Sequence, residues 1–89
     1  MELNHKPQPS PDAACQPVGD EAILINLNTG AYYSLNETGA MFWQLLDGQR
    51  TIADCARLIA LDYEAAVEMI ETDLLELATE LNEEGLIVV

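Results

Sequence analysis

Cations are nearly missing from this chain. Its 89 residues hold three, Lys6, Arg50 and Arg57, against sixteen acidic side chains, for a net charge of −13. Such a chain repels phosphate backbones and anionic headgroups. That argues against nucleic acid and membrane partners, and a basic or neutral peptide fits better. Histidine occurs once, at His5, and a lone imidazole makes no metal site, which needs several clustered ligands. No run approaches the ~18 apolar residues of a membrane helix, and the N-terminus lacks the apolar core of a signal peptide, so a cytoplasmic protein is expected. Cysteine occurs twice, at Cys15 and Cys55; two reduced thiols are expected rather than one long-range disulfide. There is no glycine-rich phosphate loop, no C-x-x-C, no H-E-x-x-H and no EF-hand loop. Nucleophilic catalysis needs a nucleophile beside a base, and the sole histidine lies in a polar terminal segment. No cofactor is expected, and the chain does not read as an enzyme working alone.

What is present is enough apolar material, 49% of residues, to fold one small domain. Residues 1–13 carry three of the four prolines, Pro7, Pro9 and Pro11, and read as a flexible arm. The domain proper is expected over 14–89. A first strand is expected over 14–18, where Pro17 confines it to a sheet edge because proline cannot donate to a ladder. Gly19-Asp20 suits a two-residue hairpin turn. A second strand is expected over 21–27, with Ile23, Ile25 and Leu27 on one face and Leu24 on the other. Asn28-Thr29-Gly30 suits a three-residue hairpin whose left-handed position is Gly30. The third strand is expected over 31–35. The short connections predict a three-stranded antiparallel meander.

At Asn36 the pattern changes from period two to period 3.6. Asn is a strong N-cap, and Met41, Phe42, Leu45 and Leu46 follow at helical spacing. The first helix is expected over 37–47, closed by Gly48, with Trp43 largely buried. Thr51 and Asp54 form a capping-box pattern, and Ile52, Cys55, Ala56 and Ile59 define a second helix over 52–60. Asp62 is the expected N-cap of a third helix over 63–84. Its stripe is Tyr63, Val67, Ile70, Leu74, Leu77 and Leu81, and Gly85 stops it. An apolar tail from Leu86 to Val89 could pack back on the core. Carboxylates at i, i+4, such as Glu64 with Glu68 and Glu76 with Glu80, read as a solvated face, because nothing nearby would split their pKa values.

A meander has two edges, and natural edges are blunted by Lys, Pro, bulges or a cover. The first strand has Pro17. The third, Ala31, Tyr32, Tyr33, Ser34 and Leu35, has neither charge nor proline. Either a helix covers it, or it is free to pair with an extended peptide by strand addition.

The run Glu21-x-x-Leu24-Ile25, then Gly30-Ala31-Tyr32-Tyr33-Ser34-Leu35-Asn36-x-Thr38-Gly39-Ala40-x-x-Trp43-x-Leu45-Leu46-Asp47-Gly48 and Thr51-Ile52, resembles the PqqD-like peptide chaperones. These are the precursor-recognition elements of ribosomal peptide natural-product pathways. The likeness covers about Ala13 to Leu86. It implies an α+β, winged-helix-like fold: a three-stranded antiparallel β-meander followed by three α-helices. It implies a non-catalytic protein that binds the leader segment of a precursor peptide as a fourth strand. Carried over by element, the binding residues are Ala31, Tyr32, Tyr33, Ser34 and Leu35 on the strand, and Glu64, Val67, Glu68, Glu71, Leu74 and Leu75 on the N-terminal half of the third helix. The implied partners are the precursor leader peptide and a modifying enzyme. That enzyme is a radical-SAM enzyme in the pyrroloquinoline quinone branch, or a leader protease and cyclase in the lasso-peptide branch. The free-standing size and the Tyr-Tyr-x-Leu-Asn run are more similar to the lasso branch. The connection Ala60-Leu61-Asp62 departs from the family by being tight.

Three other readings compete. A winged-helix DNA-binding regulator shares the fold but needs a basic recognition helix, which is missing. An acyl carrier needs an Asp-Ser-Leu attachment site, also missing. A dimerisation module would use the third-helix stripe as a seam, but the stripe spans only about three heptads and suffices to cover a small sheet.

Overall fold

The computed structural model describes residues 1–89. The elements run β1 (Gln8–Pro9), β2 (Ala13–Val18), β3 (Glu21–Asn26), β4 (Tyr32–Leu35), α1 (Glu37–Leu45), α2 (Ile52–Ala60), α3 (Val67–Glu83) and β5 (Ile87–Val88). Strands β2, β3 and β4 form the predicted antiparallel meander in that order, and the three helices follow it, an α+β fold. Gly30 turns the chain between β3 and β4 at φ 78°, a left-handed conformation that side chains resist.

The buried face of β3 is the one carrying Ala22, Leu24 and Asn26, with Ile23 and Ile25 half-exposed on the other. The more apolar face thus points outward. Leu24, wholly buried, stacks with Leu35 and Phe42 in a core completed by Ile52, Cys55 and Ile59 of α2 and Ile70, Leu74, Ala78 and Leu81 of α3. The α3 stripe is therefore spent on the chain's own core.

Local chemistry explains the helix ends. The Asn36 side chain accepts from the Gly39 N–H at 2.9 Å, as an N-cap should. Thr51 and Asp54 form the full capping box: Asp54 N–H to Thr51 Oγ1 at 2.9 Å, Thr51 N–H to Asp54 Oδ2 at 3.0 Å. Helix α1 stops at Leu45, short of 47, because the Asp47 carboxylate takes the N–H groups of Gln49 and Arg50 at 2.8 and 3.0 Å and turns the chain. Those two N–H groups, foremost, hold the Asp47 carboxyl below its usual range.

Helix α3 begins at Val67, not 63, with Ala66 as an N-cap lacking a side-chain bond. Asp62 does not cap it. Its N–H closes the end of α2 on the Ile59 carbonyl at 3.0 Å. Residues 61–66 form the connection, so it is longer than the tight Ala60-Leu61-Asp62 link read from sequence. Trp43 is only half-buried. Phe42, one residue and about 100° of helix earlier, takes the core position, and Trp43 is left lining a shallow hollow with Cys15, Pro17 and Ala22.

Residues 1–13, expected as a loose arm, lie along the body. Gln8–Pro9 pairs with Ile87–Val88, Pro7 is buried, and Leu3 and Met1 pack against the core. The carbonyls of His5 and Leu3 accept the N–H groups of Ile52 and Ala53 at 3.1 and 3.0 Å. Those amides open α2 and have no partner inside the helix. The segment is held by these backbone bonds, which composition does not reveal.

The thiols are free and separate, Cys15 exposed and Cys55 buried. Burial, foremost, pushes the Cys55 thiol up to about 11. A thiol reagent at neutral pH is expected to label Cys15 in the native protein and Cys55 only after denaturation, because the thiolate is the reactive form. Both thiols reacting together under native conditions would contradict this packing.

Candidate functional site

Strand β4 pairs with β3 on one side and with nothing on the other. Which of its main-chain groups are free follows from the register. The Asn26 N–H donates to the Ala31 carbonyl at 2.9 Å, so these opposed residues form a hydrogen-bonded pair. Bonded and non-bonded pairs alternate along an antiparallel ladder. Leu24–Tyr33 and Ala22–Leu35 are therefore bonded pairs, while Ile25–Tyr32 and Ile23–Ser34 are not. The N–H and C=O of Tyr32 and Ser34 point out of the sheet. The other edge obeys the same rule. Leu27 N–H bonds the Asp12 carbonyl at 2.8 Å, which leaves Pro17, opposite Ala22, at an outward position where its missing donor costs no bond.

Beside the free edge of β4 runs a groove of about 340 Å³, lined by Tyr33, Ser34, Leu35, Asn36, Thr38, Gly39, Asp73, Leu74 and Leu77. Leu35 and Leu74 are buried, at 3% and 1% exposure, and Leu77 is half-buried, so the floor is apolar. Gly39 lets the floor close. A Cβ there would meet Leu35 Cβ, Leu35 Cδ2 and Leu77 Cδ2, each at 3.3 Å. The hydroxyl of Tyr33, which lines the groove, donates to the Glu80 carboxylate of α3. That bond, with burial and the charges of Glu80 and Glu84, pushes the Tyr33 phenol up to about 12.

The structure gathers only some of the expected site residues here. Tyr33, Ser34, Leu35 and Leu74 line the groove. Tyr32 is 74% exposed, its side chain on the outer face of the sheet. Ala31 precedes the strand. Its carbonyl is taken by Asn26 and its N–H by Thr29 Oγ1 at 3.2 Å, so it has no free main-chain group. Glu64 lies in the connection, not on α3, and Val67 opens the helix half-buried. Leu75 faces elsewhere, sharing a surface with Met1, Thr72 and Thr79. Glu71 and Glu68 precede Leu75 by four and seven residues and so share its side of the helix. The groove flank of α3 instead carries Asp73 and Leu77, spaced by four, while Glu80, bonded to Tyr33, also borders the surface that holds Leu75. The sequence signal for them was the stripe residue Leu77, whose neighbours at that spacing could be named once the flank was known.

No group of three or more His, Cys, Asp or Glu side chains comes together to hold a metal, and no helix is long and apolar enough to cross a membrane.

Residues 21–87 match the family described as Coenzyme PQQ synthesis protein D (PqqD). No curated protein matches the chain. Among solved structures, "TbiB1 in Complex with the TbiA(beta) Leader Peptide" is 25% identical with a TM-score of 0.81, over 90% of this chain and 93% of that one. "Lasso peptide synthetase B1 complexed with the leader peptide" is 26% identical with a TM-score of 0.81, over 94% of this chain and 99% of that one.

Proposed function

We propose, proceeding from the chain's membership of the PqqD family, that it binds the leader segment of a ribosomally made precursor peptide and presents it to a modifying enzyme, in the lasso-peptide branch. The observation that carries this reading is the open edge of β4, with the donors and acceptors of Tyr32 and Ser34 facing an apolar-floored groove. An extended peptide added there gains main-chain bonds at two positions, and its side chains facing α3 reach Leu35, Leu74 and Leu77. Two solved relatives are complexes with leader peptides, the ligand this edge suits. The chain's part is non-catalytic. In support, its one imidazole, His5, accepts from the Glu2 N–H in the N-terminal segment, away from the groove. The unpaired thiols suit action in the cytoplasm.

Titration of fluorescently labelled candidate leaders, read by polarisation, tests the reading. Saturable binding of at least one is expected, and no binding by any leader of the branch would refute it. The same assay locates the charge contribution. Asp73→Lys is expected to weaken a basic leader roughly threefold to tenfold, as lost electrostatic complementarity does, and high salt should shrink the difference. Glu68→Lys with Glu71→Lys, on the other flank, is expected to do less. The reverse order would move the site to that flank.

Gly39→Ala is expected to weaken binding by pushing Leu35 and Leu77 apart, while stability changes by less than about 1 kcal/mol. The gain in helix propensity is of that size, and crowding on the floor offsets it. Unchanged affinity would show that the floor does not hold the peptide.

A further inference from the structure

Away from the groove, two hollows of about 310 and 300 Å³ on the α1–α2 face share Arg50 and Leu58 and make one surface. Met41 and Leu45 line the first and Arg57 the second. Leu58 is 40% exposed, and Leu61, which lies outside both hollows but between Leu58 and Asp62 in the chain, is at 82% the most exposed large apolar residue. The face also has an unusual charge. Arg50 pairs with Asp47 and Arg57 with Asp54, so these four charges sum to zero. The remaining fourteen carboxylates (16 − 2) and Lys6 (3 − 2) then carry the whole −13. Asp62 stands at the margin. The arginine side chains are 42% and 64% exposed. Ion pairs so exposed are weak, and a guanidinium has donors left for a second carboxylate. Exposed Leu beside Arg, on a face that holds two of the three cations of a strongly acidic protein, is the composition of a docking surface.

We propose that this face docks a protein partner through an apolar side chain set on Leu58 and Leu61 and flanked by carboxylates that meet Arg50 and Arg57. The partner is the enzyme that processes the peptide held in the groove; that identity rests on the function proposed above, the docking chemistry does not. The position suits it. Thr38 and Gly39 of α1 line the groove, and Met41 and Leu45 of the same helix line the docking face. A partner seated here touches the helix that also lines the groove.

Two arms test this. In the first, the full 15N-labelled chain is titrated with a synthetic helical peptide carrying Leu at i, i+4 flanked by Glu, and with its Lys-flanked counterpart. The Glu peptide is expected to shift the amides of Arg50, Arg57, Leu58 and Leu61, and the Lys peptide is not. No shift there with the Glu peptide, or equal shifts with both, overturns the proposal. In the second, Leu61→Asp combined with Arg57→Glu is expected to leave leader affinity unchanged and lower enzymatic conversion of the precursor about tenfold, the scale of a lost interface anchor. Unchanged conversion overturns the proposal, and so does a matching loss of leader affinity. If the wild-type chain binds no leader, the function proposed above fails, and the first arm still decides the docking face.

Discussion

Ser34→Pro is expected to lose leader binding and keep the fold. The register puts the Ser34 N–H on the outer edge of β4, so the substitution removes no bond to β3. A proline φ near −65° is tolerated on an edge strand, and the preceding Tyr33 already has the extended conformation that a following proline favours. What is lost is a donor to the peptide, about 1 kcal/mol for the bond alone, and the ring also occupies the line along which the peptide approaches. Together these should lower affinity on the order of 100-fold, or about 2.7 kcal/mol. Ser34→Ala retains the N–H and should bind nearly as the wild type does. Circular dichroism must show both variants folded. A folded Ser34→Pro chain that binds normally would remove β4 from the site.

Phe42→Ala is expected to be the most damaging single truncation of the core. Phe42 has 0% exposure, between the sheet and the helices. Truncating a buried Phe costs about 3–5 kcal/mol, against a total stability of roughly 5–15 kcal/mol for a native domain. A small domain has little margin, so much of the variant should be unfolded at 37 °C. Trp43→Leu, at a half-buried site, should cost well under half as much. Urea unfolding followed by circular dichroism measures both. The opposite ranking would mean that α1 is rotated by about 100° from the phase described here.

The same residues show what could be read from sequence. The Asn36 boundary, the Thr51–Asp54 capping box and the Ile52–Ile59 stripe are local signals, decided by atoms within a few residues, and they matched the structure closely. The start of α3 was misplaced because Asp62 has two local uses and the end of α2 claimed it. Trp43 and Phe42 both fit an apolar face, and only packing chose between them. The docking of residues 1–13 depends on carbonyls of Leu3 and His5 meeting α2, which no side-chain pattern announces. The site was half legible. Strand β4 announced itself as an unprotected edge. For α3, a stripe identifies the core face but not which flank looks at β4, so Glu68, Glu71 and Leu75 were expected beside a groove that Asp73 and Leu77 line.

The central claim is that a leader peptide becomes a fourth strand on β4. Amide hydrogen exchange of the 15N-labelled chain, measured with and without a leader retrieved by the polarisation titration, tests it most directly. The account predicts that the Tyr32 and Ser34 amides, open to water in the free protein, become protected on binding. It also predicts that the signals of Leu35, Asp73, Leu74 and Leu77 shift. A bound leader that leaves the Tyr32 and Ser34 amides exchanging as before would contradict it, whatever else in the protein moved.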